Sequence, residues 1–142
     1  MKPLFTLACL CLVVLFSCKK DKQSPSSTSI IGKWIQTKAI TQEIVNNYAQ
    51  SPIEDILSDP NNYVQFNTDG TGTLSSGGSG TYSLTNFNYN LSGNVLTLKT
   101  TNYTEVDTIK TMTANSLVIR NVNDFNSNGT HYRDITDDYY TR

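Results

Sequence analysis

FNTDGTGTL, residues 66–74, is the stretch of sequence that decides the fold class. Asp69-Gly70 at its centre is a strong β-hairpin signal, because aspartate and glycine tolerate the backbone angles of a tight turn. Before the turn, Val64 and Phe66 alternate with polar residues, which places both on one face of a strand. The stretch therefore predicts two antiparallel strands, at residues 63–67 and 71–75.

The same alternation of apolar and polar residues extends outward from this hairpin in both directions. Thr, Asn, Ser and Tyr are abundant, which is typical of strands joined by turns. Short clusters of Gly, Asn and Ser separate the alternating runs. Including the central hairpin, the predicted strands are residues 33–41, 63–67, 71–75, 80–91, 95–100, 103–112, 117–122 and a last one within 130–142.

Three local features interrupt this regular pattern. Residues 51–54, SPIE, form a capping box with proline at the first helical position, which predicts a short helix that ends before Asp59-Pro60. Apolar residues switch from even to odd positions within residues 80–91, which predicts a β-bulge near residues 85–86. The Asn-rich residues 123–129 predict a longer loop.

Eight strands joined by short turns predict an all-β, antiparallel meander. Closing such a meander into an eight-stranded barrel removes its exposed edges, so a barrel is the expected architecture and an open sandwich is the alternative. An eight-stranded barrel has an interior that side chains fill or that holds one small ligand. The 113 residues from 30 to 142 are enough for one such domain.

The first residues of the chain predict export. Lys2 precedes an apolar run at residues 4–16, which is too short for a spanning helix and suits a signal peptide. The following Leu15-Phe16-Ser17-Cys18 resembles the bacterial lipobox, and the resemblance implies cleavage after Ser17 and lipidation of Cys18. The expected organisation is a signal peptide at 1–17, a lipidated cysteine and flexible tether at 18–29, and a barrel at 30–142. An ordinary signal peptide with a chance cysteine is the alternative.

The other two cysteines agree with a lipoprotein. Cys9 and Cys11 lie within the signal peptide, so Cys18 is left without a disulfide partner in the mature chain. The tether, KKDKQSPSSTS, has no apolar residue and is expected to remain unfolded. Lys19 occupies the position at which lipoproteins retained in the inner membrane commonly carry aspartate. The expected location is therefore the outer membrane, on either its periplasmic or its surface face.

Ile31-Gly32-Lys33-Trp34 opens the barrel domain. Gly-x-Trp at the start of the first strand resembles the signature of lipocalins and of short bacterial lipocalin-like domains. The resemblance implies that Trp34 closes the floor of the barrel, that Gly32 allows a close backbone approach, and that a basic residue of the last strand packs over the indole. Arg142 is the matching candidate. The resemblance also implies a non-catalytic domain.

Binding of a small apolar or amphipathic ligand is the function that this barrel suggests, and the binding site is expected at the end of the barrel opposite Trp34. A protein-interaction or inhibitor module that acts through its loops is the alternative, and an internal cavity of about 300 Å³ or more would favour the ligand. We expect a monomer that is attached to the membrane through its lipid. The candidate cavity residues are Phe66, Tyr82, Tyr89, Leu96 and Leu98.

Other functional classes have less support in the sequence. Asp124, Asn126 and Asn128 match the first half of a calcium loop, but Ile135 stands where a bidentate glutamate is needed. His131 is the only histidine and belongs to no catalytic motif. Acidic residues outnumber basic ones after residue 29, which argues against nucleic acid as a partner. We therefore expect no cofactor, no structural metal and no enzymatic activity.

Overall fold

The computed structural model describes residues 29–142, so the predicted signal peptide, Cys18 and nearly all of the tether lie outside the described residues. This part of the chain forms ten antiparallel strands. Within it, no helix is long and apolar enough to cross a membrane. The strands are β1 (Gly32–Val45), β2 (Tyr48–Ala49), β3 (Ile53–Ile56), β4 (Tyr63–Phe66), β5 (Thr71–Gly78), β6 (Thr81–Ser92), β7 (Val95–Lys99), β8 (Thr104–Met112), β9 (Ser116–Ser127) and β10 (Thr130–Thr141).

Eight of these strands form a closed barrel. β1 pairs with β4, each strand from β4 to β9 pairs with the next, and β10 returns to pair with β1 over a register from Ile35↔Thr141 to Val45↔Tyr132. The meander and its closure, both expected from the sequence, are thus confirmed. The short strands β2 and β3 lie outside this circuit and pair with the second half of β1.

The barrel interior is filled by side chains that alternate along each strand. Trp34, Phe66, Leu96 and Leu117 are completely or almost completely buried. Phe66 contacts the rings of Phe87 and Tyr89 edge to face, with centroids 5.7 and 5.0 Å apart. The core residues are Ile30, Trp34, Val64, Phe66, Phe87, Leu96, Ile109, Leu117, Ile119 and Tyr140.

The prediction of a helix after the first strand is wrong, because residues 53–56 form strand β3 instead. Ile53 pairs with Thr41 and Ile56 pairs with Lys38, so this segment extends the sheet along β1. Nucleating a helix of so few residues is unfavourable, whereas pairing with β1 supplies backbone hydrogen bonds at once. The Lys38 ammonium also bonds to the Glu54 carboxylate at 2.9 Å across the two strands.

The bulge predicted near residues 85–86 is also absent. The register of β5 and β6 is continuous from Thr71↔Asn88 to Gly78↔Thr81. The apolar residues of this segment change from even to odd positions because Leu84, which is 64% exposed, lies on the outer face of the barrel. The register shifts occur between Gln36 and Lys38 in β1 and near residue 110 in β8.

The predicted loop at residues 123–129 is a hairpin. β9 continues to Ser127 and pairs with β10 along its whole length, from Ser116↔Thr141 to Ser127↔Thr130. Asn128 and Gly129 alone form the turn, and both have the positive φ angles that a two-residue hairpin turn needs. The asparagines that predicted a loop are therefore part of the long strand β9, because pairing with β10 outweighs their low strand propensity.

Candidate functional site: the barrel floor and cavity

Trp34 and Arg142 close one end of the barrel, which we call the floor. The Arg142 guanidinium lies 4.0 Å from the centroid of the Trp34 ring. The indole N–H donates to the carbonyl oxygen of Ile30 at 2.7 Å, so the one polar atom of this fully buried side chain is satisfied. The guanidinium donates to the carbonyl oxygens of Ala114, Ile31 and Ser29. The floor thus joins the first and last strands to the β8–β9 turn.

Gly32 belongs to the same floor. Its φ angle of 123° is one that residues with a side chain rarely adopt. A Cβ at this position would lie 3.2 Å from Nη1 of Arg142. Glycine therefore allows both the backbone conformation and the close approach of the guanidinium.

A small cavity lies inside the barrel, and neither Trp34 nor Arg142 lines it. Its volume is about 110 Å³. One side is mainly apolar, with Val64, Phe66, Leu74, Phe87 and Leu98 from strands β4 to β7. The other side, from strands β8 to β10, is largely polar and contains Glu105, Asp107, Asn121, Asp138 and Tyr140 next to Ile119. The cavity wall is thus amphipathic.

The five cavity residues proposed from the sequence have different places in the structure. Phe66 and Leu98 line the cavity. Leu96 is fully buried in the core, and Tyr89 packs against the core while its hydroxyl donates to the carbonyl oxygen of Asn67 at 2.7 Å. Tyr82 lies outside the cavity: it shares the outer face with Leu84, and its hydroxyl bonds to the Asp59 carboxylate.

Three carboxylates line the polar side of the cavity. The side-chain amide of Asn121 donates to Glu105 Oε1 at 2.6 Å and to Asp107 Oδ1 at 3.0 Å. The side-chain amide of Gln36 donates to Asp138 Oδ1 at 2.8 Å. Each carboxylate is therefore held by a neutral amide, and in the described residues none of the three forms an ion pair with a basic side chain.

Burial and mutual repulsion make these carboxyl groups harder to ionise. Burial raises the pKa of Asp138 to about 6, and the charges of Asp107 and Asp137 act in the same direction, while the hydrogen bond from Gln36 opposes them. Burial also raises the pKa of Glu105, with further contributions from Asp107 and Asp138. Burial raises the pKa of Asp107 against the hydrogen bond from Asn121.

The Tyr140 hydroxyl is a further polar group of this wall. The residue is 6% exposed, and its side chain has no hydrogen bond with any part of the chain that the structure describes. Burial raises the pKa of this hydroxyl well above its usual value, and Asp138, Asp107 and Glu105 raise it further. The hydroxyl thus lines the same cavity as the three carboxylates and is bonded to none of them.

Sequence reasoning missed this polar wall, although alternation along the strands could have revealed it. Ile109 points into the barrel, so Asp107 and Glu105, two and four positions earlier on β8, point inward as well. Asp138 precedes the buried Tyr140 by two positions on β10. The neighbouring residue Val106 is apolar but 61% exposed. If Val106 is assigned to the interior, Glu105 and Asp107 are wrongly placed on the outer face of β8.

The barrel wall beside the three carboxylates is split. β8 and β9 pair from Met112↔Leu117 only as far as Thr108↔Arg120. Beyond that point β8 continues along β7 and β9 continues along β10, so no backbone ladder joins their remaining residues. Tyr103, Glu105 and Asn121 line both the cavity and the surface depression over this split. The cavity and this depression therefore lie on the two sides of the same stretch of wall, where the Asn121 side chain bridges β9 to Glu105 and Asp107 of β8.

The residues of the proposed calcium loop do not surround a common point. Asp124 and Asn126 lie on the extended strand β9, and Asn128 lies in the turn. His131 Nε2 and Arg133 Nε, at 3.6 and 3.9 Å, face the Asp124 carboxylate instead. Within residues 29–142, no three His, Cys, Asp or Glu side chains come close enough together to hold a metal ion.

A comparison with protein families agrees with this architecture. Residues 30–119 match the family model described as a lipocalin-like domain. Among solved structures, the chain is similar to a deswapped triple mutant of bovine odorant binding protein, with 12% identity over 78% of this chain and 72% of that chain and a TM-score of 0.44. No curated protein matches the sequence.

Proposed function

Because the chain belongs to the lipocalin-like domain family, we propose that it is a non-catalytic, lipid-anchored envelope protein whose barrel binds a small amphipathic ligand. The observation that carries this proposal is the two-sided cavity inside the barrel. An apolar wall from β4 to β7 faces a polar wall from β8 to β10. Such a wall suits a ligand with one apolar part and one polar part.

The size of the cavity limits the ligand. Pockets for drug-sized molecules occupy about 300–1,000 Å³, whereas this cavity has about 110 Å³. A cavity of this volume holds a few water molecules, so it has room for a ligand of a few non-hydrogen atoms. The proposed ligand is accordingly much smaller than a fatty acid or a retinoid.

The lipid anchor is the second part of the proposal. The lipobox-like residues Leu15 to Cys18 support it, as does the apolar run before them. Acylation at Cys18 would hold the barrel within about a dozen residues of the outer membrane, since one diacylglycerol plus a further acyl chain anchors a protein stably.

Native mass spectrometry of the protein purified from its own envelope tests both parts. We expect a mass increase at Cys18 that corresponds to acylation, and a small retained ligand. Leu98→Phe fills the cavity and should abolish retention, whereas Leu84→Phe enlarges an exposed side chain and should not. A retained ligand that survives Leu98→Phe would contradict binding in the cavity, and an unmodified Cys18 would contradict the anchor.

A protein-interaction module is the second candidate, and it has its own supporting observation. The cavity lies below the size that favours a drug-sized ligand, and apolar side chains are exposed on the strands outside the barrel. Ile53 and Ile56 of β3 are 66% and 71% exposed, and Tyr48 of β2 is 76% exposed. Crosslinking in intact cells from a photoreactive residue at position 56 would capture a specific partner if this function is correct. The same crosslinker at position 106 on β8 is the control.

A further inference from the structure

Building on the proposed ligand-binding function, we propose that the cavity takes a small organic ammonium ion, whose cationic head lies among Glu105, Asp107 and Asp138. Its apolar part would lie against Phe66, Phe87 and the aliphatic side chains of the opposite wall.

The first argument is the charge of the cavity wall. Three carboxylates line it, and none of its described lining residues is basic. Two arginines of the barrel have other partners: Arg120 pairs with Asp137, and Arg142 covers Trp34 at the floor. Buried carboxylates without a countercharge are costly, so a positive group in the cavity would offset that cost.

The second argument is the Tyr140 hydroxyl, which is independent of the carboxylates. It belongs to a side chain that is more than nine-tenths buried and lines the cavity, and it has no hydrogen-bond partner among the described residues. Among the described residues, no fully buried side-chain oxygen or nitrogen lacks a partner, so this unpartnered oxygen is accessible and a small molecule that enters the cavity can reach it. An ammonium group has three N–H donors, so it could bond to the tyrosine oxygen and to two carboxylates at the same time.

The third argument separates an organic cation from a metal ion. The acidic side chains of residues 29–142 do not converge as a metal site requires. Half of the cavity wall is apolar and includes the rings of Phe66 and Phe87. Aromatic rings attract cations with an apolar body, whereas a small hydrated metal ion gains little from them. The volume of about 110 Å³ has room for a ligand of a few non-hydrogen atoms, such as n-propylammonium.

The test uses three probes of equal size and different charge: n-propylammonium, 1-propanol and propionate. Each is titrated into the mature lipoprotein in detergent at pH 7.5 and followed by NMR chemical-shift changes of residues 121 and 140. We expect n-propylammonium to bind at least about tenfold more tightly than 1-propanol, and propionate not to bind. Competition by an equal concentration of sodium or potassium ions would show an inorganic cation site and would overturn the proposal.

Two variants and a matched control connect the binding to these residues. Asp138→Asn should weaken n-propylammonium binding at least about tenfold, and Tyr140→Phe, which removes only the hydroxyl, should weaken it several-fold. Asp55→Asn makes the same chemical change on exposed β3 and should have no effect. Unchanged binding in both Asp138→Asn and Tyr140→Phe would overturn the assignment.

The outcomes also separate this inference from the proposed function. If 1-propanol binds as tightly as n-propylammonium, the cavity is a ligand site without charge selectivity, so only the inference fails. If none of the probes binds while native mass spectrometry finds a retained ligand in the cavity, the inference is again wrong and the proposed function remains. If no probe binds and no ligand is retained, both are wrong.

Discussion

The guanidinium of Arg142 lies 4.0 Å from the centroid of the Trp34 ring and joins the two ends of the barrel domain. Trp34 is at the start of β1, and Arg142 follows β10, the strand that closes the barrel by pairing with β1. The guanidinium binds the carbonyl oxygens of Ser29, Ile31 and Ala114, and the indole N–H binds the carbonyl oxygen of Ile30. The floor is thus a single closure that depends on both residues.

Arg142→Ala should destabilise the barrel. The substitution removes a cation–π contact of about 0.5–2 kcal/mol and three charge-assisted hydrogen bonds in an exposed setting, so we expect a loss of about 1–3 kcal/mol. Urea denaturation followed by Trp34 fluorescence measures it. Arg133→Ala, which removes an exposed arginine 3.9 Å from Asp124, should change the free energy of unfolding by less than about 0.5 kcal/mol. Equal effects of the two variants would contradict a structural role for Arg142.

Gly72→Ala should destabilise the protein because β5 and β6 approach closely at this position. A Cβ on Gly72 would lie 2.3 Å from the Phe87 ring and 2.5 Å from the carbonyl oxygen of Gln65. Overpacking of this kind costs about 1–3 kcal/mol. Gly78→Ala on the same strand is the control, because a Cβ there meets no atom within 4 Å. Thermal unfolding of both variants should give a lower Tm for Gly72→Ala only.

Much of the fold could be predicted from local sequence signals. Asp69-Gly70 and the alternation around it gave the correct hairpin, because turn chemistry and strand period act over a few residues. The errors arose where pairing between distant segments overrode local preference. Residues 53–56 carry a helix-capping pattern but are paired with β1, and the asparagines after residue 122 are paired with β10. No local pattern encodes either pairing.

The candidate site was harder to predict than the fold. The floor residues Trp34 and Arg142 could be named because the family signature marks the first strand. The carboxylate wall was missed, because charged residues are normally read as exposed. Alternation places Glu105 and Asp107 on the same face of β8 as Ile109, but it does not say which face of the strand points into the barrel. The assembled barrel decides this, since Val106 is 61% exposed and Asp107 is buried.

Asp138→Asn should stabilise the protein at neutral pH and have little effect in acid. The pKa of Asp138 is raised from 3.8 to about 6, so the folded state binds this proton more tightly than the unfolded state does. The contribution of Asp138 to stability is therefore complete below about pH 4 and is lost as the pH rises through 6. At pH 7.5 the neutral asparagine, which can still accept the Gln36 hydrogen bond, should add on the order of 1–3 kcal/mol.

The other groups around Asp138 do not reverse the direction of this pH dependence of stability. Glu105 and Asp107 on β8 are acidic, Asp137 on β10 is neutralised by Arg120, and Gln36 on β1 and Asn121 on β9 carry no charge. Urea denaturation of both proteins at pH 7.5 and pH 4.5 measures the difference. A benefit that is equal at the two pH values would show that ionisation of Asp138 is not its cause.

Cys18→Ala should release the protein from the membrane without unfolding it. Cys18 precedes the barrel domain by a tether that lacks apolar residues, and the core is formed entirely within residues 30–140. Losing the acylated cysteine should therefore move the protein to the soluble fraction and leave its Tm unchanged within about 2 °C. Cys11→Ala replaces a cysteine of the predicted signal peptide and should leave the protein in the membrane fraction. Membrane association of Cys18→Ala after an alkaline wash would contradict the lipid anchor, and loss of its near-UV circular dichroism would contradict a barrel that folds independently of it.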